Sequence, residues 1–143
     1  MTSVRSVLAT KGGDTVKVDP AVPVRQALEL MRDHNVGSVL VCEAGRLVGL
    51  FAERNLARCV AHSGASCIER TVGDLMEESV LYVSPEATID ECMALMTEHR
   101  TRHLPVLDAD QVVGIVSIGD IVKEVIADKT FVIEQLERYI AGR

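Results

Sequence analysis

One pattern is written twice in this chain. Laying Val18 to Val60 beside Val83 to Val125, a shift of 65 positions, aligns the two stretches without a gap. Identical pairs are Val18/Val83, Pro20/Pro85, Leu30/Leu95, Met31/Met96, His34/His99, Val41/Val106, Ala44/Ala109, Val48/Val113, Gly49/Gly114 and Val60/Val125. They fall at turns and apolar positions, where a fold restricts the choice of residue. A duplicated unit of this size leaves one face poorly covered on its own and buries it on its twin.

Each copy reads in the same order. An extended piece (Thr15 to Val18, Val80 to Val83) is closed by Asp19-Pro20 or Ser84-Pro85. An amphipathic helix follows, with Val24, Ala27, Leu28 and Met31 in one copy and Ile89, Cys92, Met93 and Met96 in the other at helical steps. Two apolar runs, Ser38 to Cys42 then Leu47 to Phe51, and Leu104 to Leu107 then Val112 to Val116, flank polar turns of hairpin composition. Second helices are expected from about Ala52 to His62 and from about Ser117 to Ala127.

The predicted fold class is therefore α/β (α+β), as tandem β-α-β-β-α repeats packed with pseudo-twofold symmetry. The expected division is 1–66 for the first repeat with its lead-in, 67–128 for the second, and 129–143 for an extra C-terminal helix. That last helix carries an apolar stripe of Val132, Ile133, Leu136 and Ile140. Ser63 to Arg70 reads as the linker. Val4 to Leu8 echoes Val72 to Met76 at a shift of 68, so a short helical lead-in is expected before each copy.

Composition narrows function by exclusion. With 15 basic and 21 acidic residues the net charge is 15 − 21 = −6, and aromatics are 3%. Both argue against a nucleic-acid partner. No apolar run reaches membrane-spanning length, so no membrane partner is expected. Cys42, Cys59, Cys67 and Cys92 have no metal-ligand spacing and read as free thiols of a cytoplasmic protein. His34 and His99 recur at helix ends, and His62 and His103 lack a neighbouring nucleophile with a supporting acid. Neither a metal site nor an enzyme is expected.

The copies differ at two places. At the second strand-to-helix junction Ser117 and Asp120 stand three apart, where the first copy has Ala52 and Asn55. Ser117 and Asp120 fit a capping box; they equally fit a carboxylate accepting both hydroxyls of a ribose, beside first-turn amides facing an anion. Before the second strand, Arg100-Thr101-Arg102-His103 replaces Asn35-Val36-Gly37-Ser38. Arg102 and His103 are candidate phosphate ligands, and Arg54 joins them if the copies face each other.

Taken together, the Pro after each first strand, the run Arg100 to Val106 and the junctions Gly49 to Asn55 and Gly114 to Asp120 make the chain resemble a stand-alone pair of CBS domains, or Bateman module. The resemblance implies a non-catalytic regulatory module that binds an adenosine nucleotide between its repeats. AMP is foremost, with ATP, ADP, NAD or an S-adenosyl compound as alternatives. It assigns the ribose to Asp120 and Ser117, the base to Ile115, Val16, Val36, Gly37 and Ser38, and the phosphates to Arg102 and His103. The twin cleft, with Ala52 and Asn55, departs from the pattern and is expected to be empty, weak or differently selective. A homodimer and a regulated protein partner are further implied; a protein-binding adaptor with vestigial clefts is the rival.

Overall fold

A computed structural model of the chain describes residues 2–141. In chain order its elements are α1 (Val4–Lys11), β1 (Lys17–Val18), α2 (Val24–His34), β2 (Ser38–Glu43), β3 (Arg46–Ala52), α3 (Glu53–Ser63), a 3-10 turn (Ala65–Glu69), α4 (Val72–Leu75), α5 (Ile89–His99), β4 (His103–Asp108), β5 (Gln111–Ser117) and α6 (Ile118–Ala141). From α2 to β3 every boundary recurs 65 residues later.

The hairpins share one register. Ser38 pairs with Ala52 and His103 with Ser117, and both ladders shift at equivalent points, Val41/Cys42 and Val106/Leu107. Each turns through two residues of positive φ, Ala44 and Gly45 (52° and 78°) or Ala109 and Asp110 (50° and 65°). Paired positive φ angles give the turn whose twist matches that of the strands.

The first strands do not match. β1 pairs in parallel with β2, whereas the stretch expected from Val80 to Val83 makes one bridge, Val83 to Val106. In the first copy the Leu40 amide donates to the Val16 carbonyl at 2.9 Å. Pro105 stands at the equivalent position and has no N–H to give, so the second copy loses that rung.

Each repeat has its own core. Val18, Val24, Ala27, Met31, Val39, Val41, Phe51 and Val72 form one, while Val4, Val7, Val83, Ile89, Cys92, Met96, Leu104, Val106, Val116 and Ile121 are among those forming the other. The membership shows that the lead-in helices are exchanged between the cores. α1 packs in the second core, with the Val4 amide on the Ala87 carbonyl at 2.8 Å and the Arg5 amide on the Pro85 carbonyl at 2.9 Å. α4 packs in the first, with the Val72 amide on the Val22 carbonyl and the Gly73 amide on the Pro20 carbonyl, both 2.8 Å. The repeated Gly49/Gly114 pair follows from this exchange. A Cβ on Gly114 would stand 2.6 Å from the Leu8 side chain of α1, and one on Gly49 would crowd Met76 after α4 and stand 3.0 Å from the Glu77 carbonyl.

The remaining sheet face of each repeat looks toward the other. Leu40 is fully buried yet outside both core clusters, and it shares a cavity lining with His103, Ile115 and Ser117 of the other repeat. The stacking expected from the repeat is thus present.

The expected C-terminal helix is present as the continuation of the second repeat's last helix: α6 runs unbroken from Ile118 to Ala141, with no Gly or Pro after Gly119 within it to interrupt the backbone hydrogen bonds. Its distal part leaves Ile126, Phe131, Val132, Ile133, Leu136 and Ile140 exposed. One expectation needs correction: the four cysteines are not all free. Gly64 (φ 81°) reverses the chain after α3, and the 3-10 turn brings Cys67 back to Cys59, where the two form a disulfide. Cys42 and Cys92 are free thiols, and burial, helped by Glu91, pushes that of Cys92 up to about 11.

Candidate functional site between the repeats

Stacked sheets leave space where their strand ends diverge. A cavity of about 340 Å³ is bounded by Val16, Val36, Gly37, Ser38 and Leu40 of the first repeat and by His103, Ile115 and Ser117 of the second; Lys11 and Asp14 close it. A second, of about 330 Å³, is bounded by Gly37, Leu50, Ala52, Glu53, Arg54, Thr101, Arg102 and His103. Gly37 and His103 line both, so the two cavities adjoin.

Of the residues singled out from sequence, Val16, Val36, Gly37, Ser38, His103, Ile115 and Ser117 converge on the first cavity. Asp120 does not line it; it bonds to Ser117 and Lys11, which do. Arg54 and Arg102 do not join them: both line the second cavity, across Gly37 and His103. The Arg54 guanidinium reaches the opposite repeat and donates to the Arg100 carbonyl at 2.7 Å, so the repeats do face each other as its role required.

The second junction is a complete capping box. The Ser117 amide donates to Asp120 Oδ2 at 2.8 Å, and the Asp120 amide donates to Ser117 Oγ at 3.2 Å. The Ile118 amide donates to the Arg102 carbonyl at 2.9 Å. Two of the first-turn amides expected to face an anion are therefore committed within the protein. The carboxylate keeps its charge. Burial opposes ionisation of Asp120, but hydrogen bonds from Lys11 and the Ser117 amide outweigh it and hold the group below the usual carboxylate range. Its side chain is 16% exposed.

Half of that box persists in the first copy. The Ala52 amide donates to Asn55 Oδ1 at 2.7 Å, so Asn55 retains the capping bond without the charge, while Ala52 has no oxygen to return it. His103 stands where the first copy has the buried Ser38. Burial, reinforced by Lys11, Arg54 and Arg102 and opposed by Asp120, lowers its pKa. Lys11, Arg54 and Arg102 thus bear on the wall between the cavities, which Asp14 and Glu53 also line on either side.

A CBS domain family model matches residues 4–62 and 72–127. The chain belongs to the CBS-domain family. It is 33% identical over 150 aligned residues, 99% of this chain and 73% of the relative, to CBS domain-containing protein CBSX3, mitochondrial, of Arabidopsis thaliana. A solved CBS-domain containing protein from Agrobacterium tumefaciens matches with a TM-score of 0.84 at 38% identity, covering 86% of this chain and 98% of that one. The same fold, with a TM-score of 0.78 at 21% identity over 90% of this chain and 98% of the other, occurs in a CBS domain pair solved with 5′-methylthioadenosine and S-adenosyl-L-methionine.

Within this CBS pair, sequence reasoning missed Lys11. Its ammonium donates to Asp120 Oδ2 at 2.6 Å and to the Ile115 carbonyl at 2.8 Å. The echo between Val4 to Leu8 and Val72 to Met76 was the sole signal that α1 is part of the pattern, and it does not say that α1 packs on the far repeat. Among the described residues no group of three or more His, Cys, Asp or Glu side chains gathers as metal ligands, and no helix is long and apolar enough to cross a membrane.

Proposed function

We propose that this CBS pair is a non-catalytic sensor of adenosine nucleotides, AMP foremost, and that occupancy of the first cavity alters its association with a protein partner. The observation that carries the reading is the convergence on one cavity of Ile115 and Ser117 of the second repeat with the Val16 and Val36–Ser38 walls of the first, the capped Asp120 carboxylate standing behind that lining, bonded to Ser117 and Lys11. Asp120 is a bidentate acceptor suited to a ribose diol. Ile115, Val16 and Val36 offer apolar surface to a base, and Ser38 and the Asn35–Gly37 backbone offer polar contacts at its edge. From the ribose, the phosphate path runs past Gly37 and His103 toward Arg102 and Arg54.

Such a ligand contacts both repeats at once, so it stabilises the arrangement in which they close on it. Its differential affinity for that arrangement sets how far the equilibrium moves. The exposed apolar stripe of α6, from Ile126 to Ile140, supports the other half of the proposal: a surface through which a second copy or a regulated protein associates. The alternative, an adaptor whose clefts no longer bind, draws on that same stripe.

Titration calorimetry of AMP and ATP against the intact protein and the Asp120→Ala variant tests the reading. The expected loss is about 100-fold in affinity, from removing hydrogen bonds to a charged group. The fold is expected to survive at a cost of about 1 kcal/mol for the lost cap. Full affinity in the variant removes Asp120 from the site, and silence from the intact protein with every adenosine compound favours the adaptor.

A further inference from the structure

Asp120 does not face the cavity with a free carboxylate. Its Oδ2 accepts the Lys11 ammonium at 2.6 Å as well as the Ser117 amide at 2.8 Å, and Lys11 also donates to the Ile115 carbonyl at 2.8 Å. The Lys11 side chain is one-third exposed in this position. It comes from the last turn of α1, so the helix exchanged from the start of the chain delivers a cation to the point where a ribose diol would be read. A diol and an ammonium compete for one carboxylate.

What happens to the displaced ammonium depends on the ligand. Of the other ionisable groups, His103, Arg54 and Arg102 bear on this wall, and the carboxylate that lines the cavity beside Lys11, Asp14, is exposed to solvent, so within the protein a released Lys11 meets positive charge and one solvent-screened anion. A ligand phosphate supplies a more highly charged anion inside the cleft. Lysine is suited to such an exchange, having a flexible four-carbon stem and three donors without fixed directions. A neutral nucleoside would break the ion pair and leave the ammonium with only the Ile115 carbonyl and the exposed Asp14, with no new anion in return. A sulfonium ligand would add a like charge.

We propose that Lys11 is a latch on the ribose-reading carboxylate, exchanged onto ligand phosphate, that makes this cleft selective for anionic adenosine nucleotides over adenosine and over S-adenosyl compounds. The proposal rests on the reading of the first cavity as an adenosine site. It goes beyond that reading by assigning the discrimination among ligands to a residue outside both copies of the repeat core. The first copy has no counterpart, since Ser79 holds the position equivalent to Lys11 and lines a small cavity with Leu50 and Arg54.

The test is calorimetry of adenosine, AMP and S-adenosylmethionine with the intact protein and with Lys11→Met. The intact protein is expected to favour AMP. In Lys11→Met, adenosine should gain about tenfold and AMP lose about tenfold, narrowing the preference by about 100-fold. An unchanged AMP-to-adenosine ratio overturns the latch and leaves the adenosine site standing; no binding of any of the three to either protein overturns the site and the latch with it. A second readout needs no ligand. Carboxyl NMR titration should show Asp120 ionising at higher pH in Lys11→Met than in the intact protein, and an unmoved Asp120 overturns the latch whatever the ligand results.

Discussion

The two strand-to-helix junctions have the same backbone and opposite chemistry. Both open a helix 65 residues apart, and in both the amide of the last strand residue donates to the side chain three residues on, at 2.7 Å to Asn55 and 2.8 Å to Asp120. Only the second returns a bond from a hydroxyl, carries a charge and is met by a lysine from α1. Asn55 is enough to start a helix. The charge on Asp120 therefore exceeds what starting a helix asks of that position, and in the proposed function the excess is what a ligand reads.

The sharpest way to break this comparison is to erase it. The double substitution Ala52→Ser with Asn55→Asp gives the first junction the missing hydroxyl and carboxylate beside Arg54, Thr101 and His103. Calorimetric stoichiometry for AMP is expected to rise from one to two per chain, with the new site binding at least about tenfold more tightly than the unmodified cleft. With Ser79 rather than a lysine nearby, the new site should discriminate little between AMP and adenosine. A stoichiometry that stays at one shows that side chains beyond the junction make the repeats unequal.

The exits from the two copies differ as well, and this is the next largest effect. α3 ends at Gly64 and is stapled to the 3-10 turn by Cys59–Cys67, whereas α6 continues without a break to Ala141. Reduction of the disulfide is expected to cost about 2–3 kcal/mol, read as a lower midpoint in urea. Because α4 reaches the first core through this segment, the loss should register first in hydrogen exchange of α4 and β3. A reduced protein with an unchanged midpoint would show that packing of Cys67 alone holds the segment.

The smallest effect distinguishes His103 from its counterpart Ser38. Burial, with Lys11, Arg54 and Arg102 and against Asp120, lowers the pKa of His103. A lowered group contributes stability that is complete above its unfolded value of about 6.5 and is lost as pH falls through the folded value. The intact protein should therefore melt about two degrees lower at pH 5.5 than at pH 7 through this group, and His103→Gln should remove that increment. A variant with the same slope would place the pH dependence elsewhere.

Much of this was legible because it is local. Turn residues, 3.6-residue periodicity and a Ser-x-x-Asp pair act over a few positions, so the hairpins, α2, α5 and the capping box follow from short-range physics. The lost first strand of the second copy was legible in principle too, since Pro105 lacks the amide that Leu40 uses, but the consequence needs the partner Val16 to be known. That Val16, Val36, Ser38, Ile115 and Ser117 share one cavity was implied by the resemblance to CBS pairs, not by local pattern, because which sheet ends meet is a matter of packing between the repeats. Arg54 and Arg102 were not separated from them, because which side of Gly37 and His103 a long side chain takes is set by packing across the repeats.

By itself, then, the sequence determined a duplicated unit, its element order, and a charge asymmetry between two otherwise matching junctions. The tertiary structure alone decided that the lead-in helices are exchanged, that Cys59 meets Cys67, that the last helix is one with α6, and that Lys11 sits on Asp120. Each of these joins surfaces that local preference leaves equally open: α1 could cover either core by its own periodicity. Both cores have a glycine that admits a lead-in segment, Gly49 and Gly114, so the choice rests on partners far away in the chain: α1 takes the second core through the Ala87 and Pro85 carbonyls and Asp120.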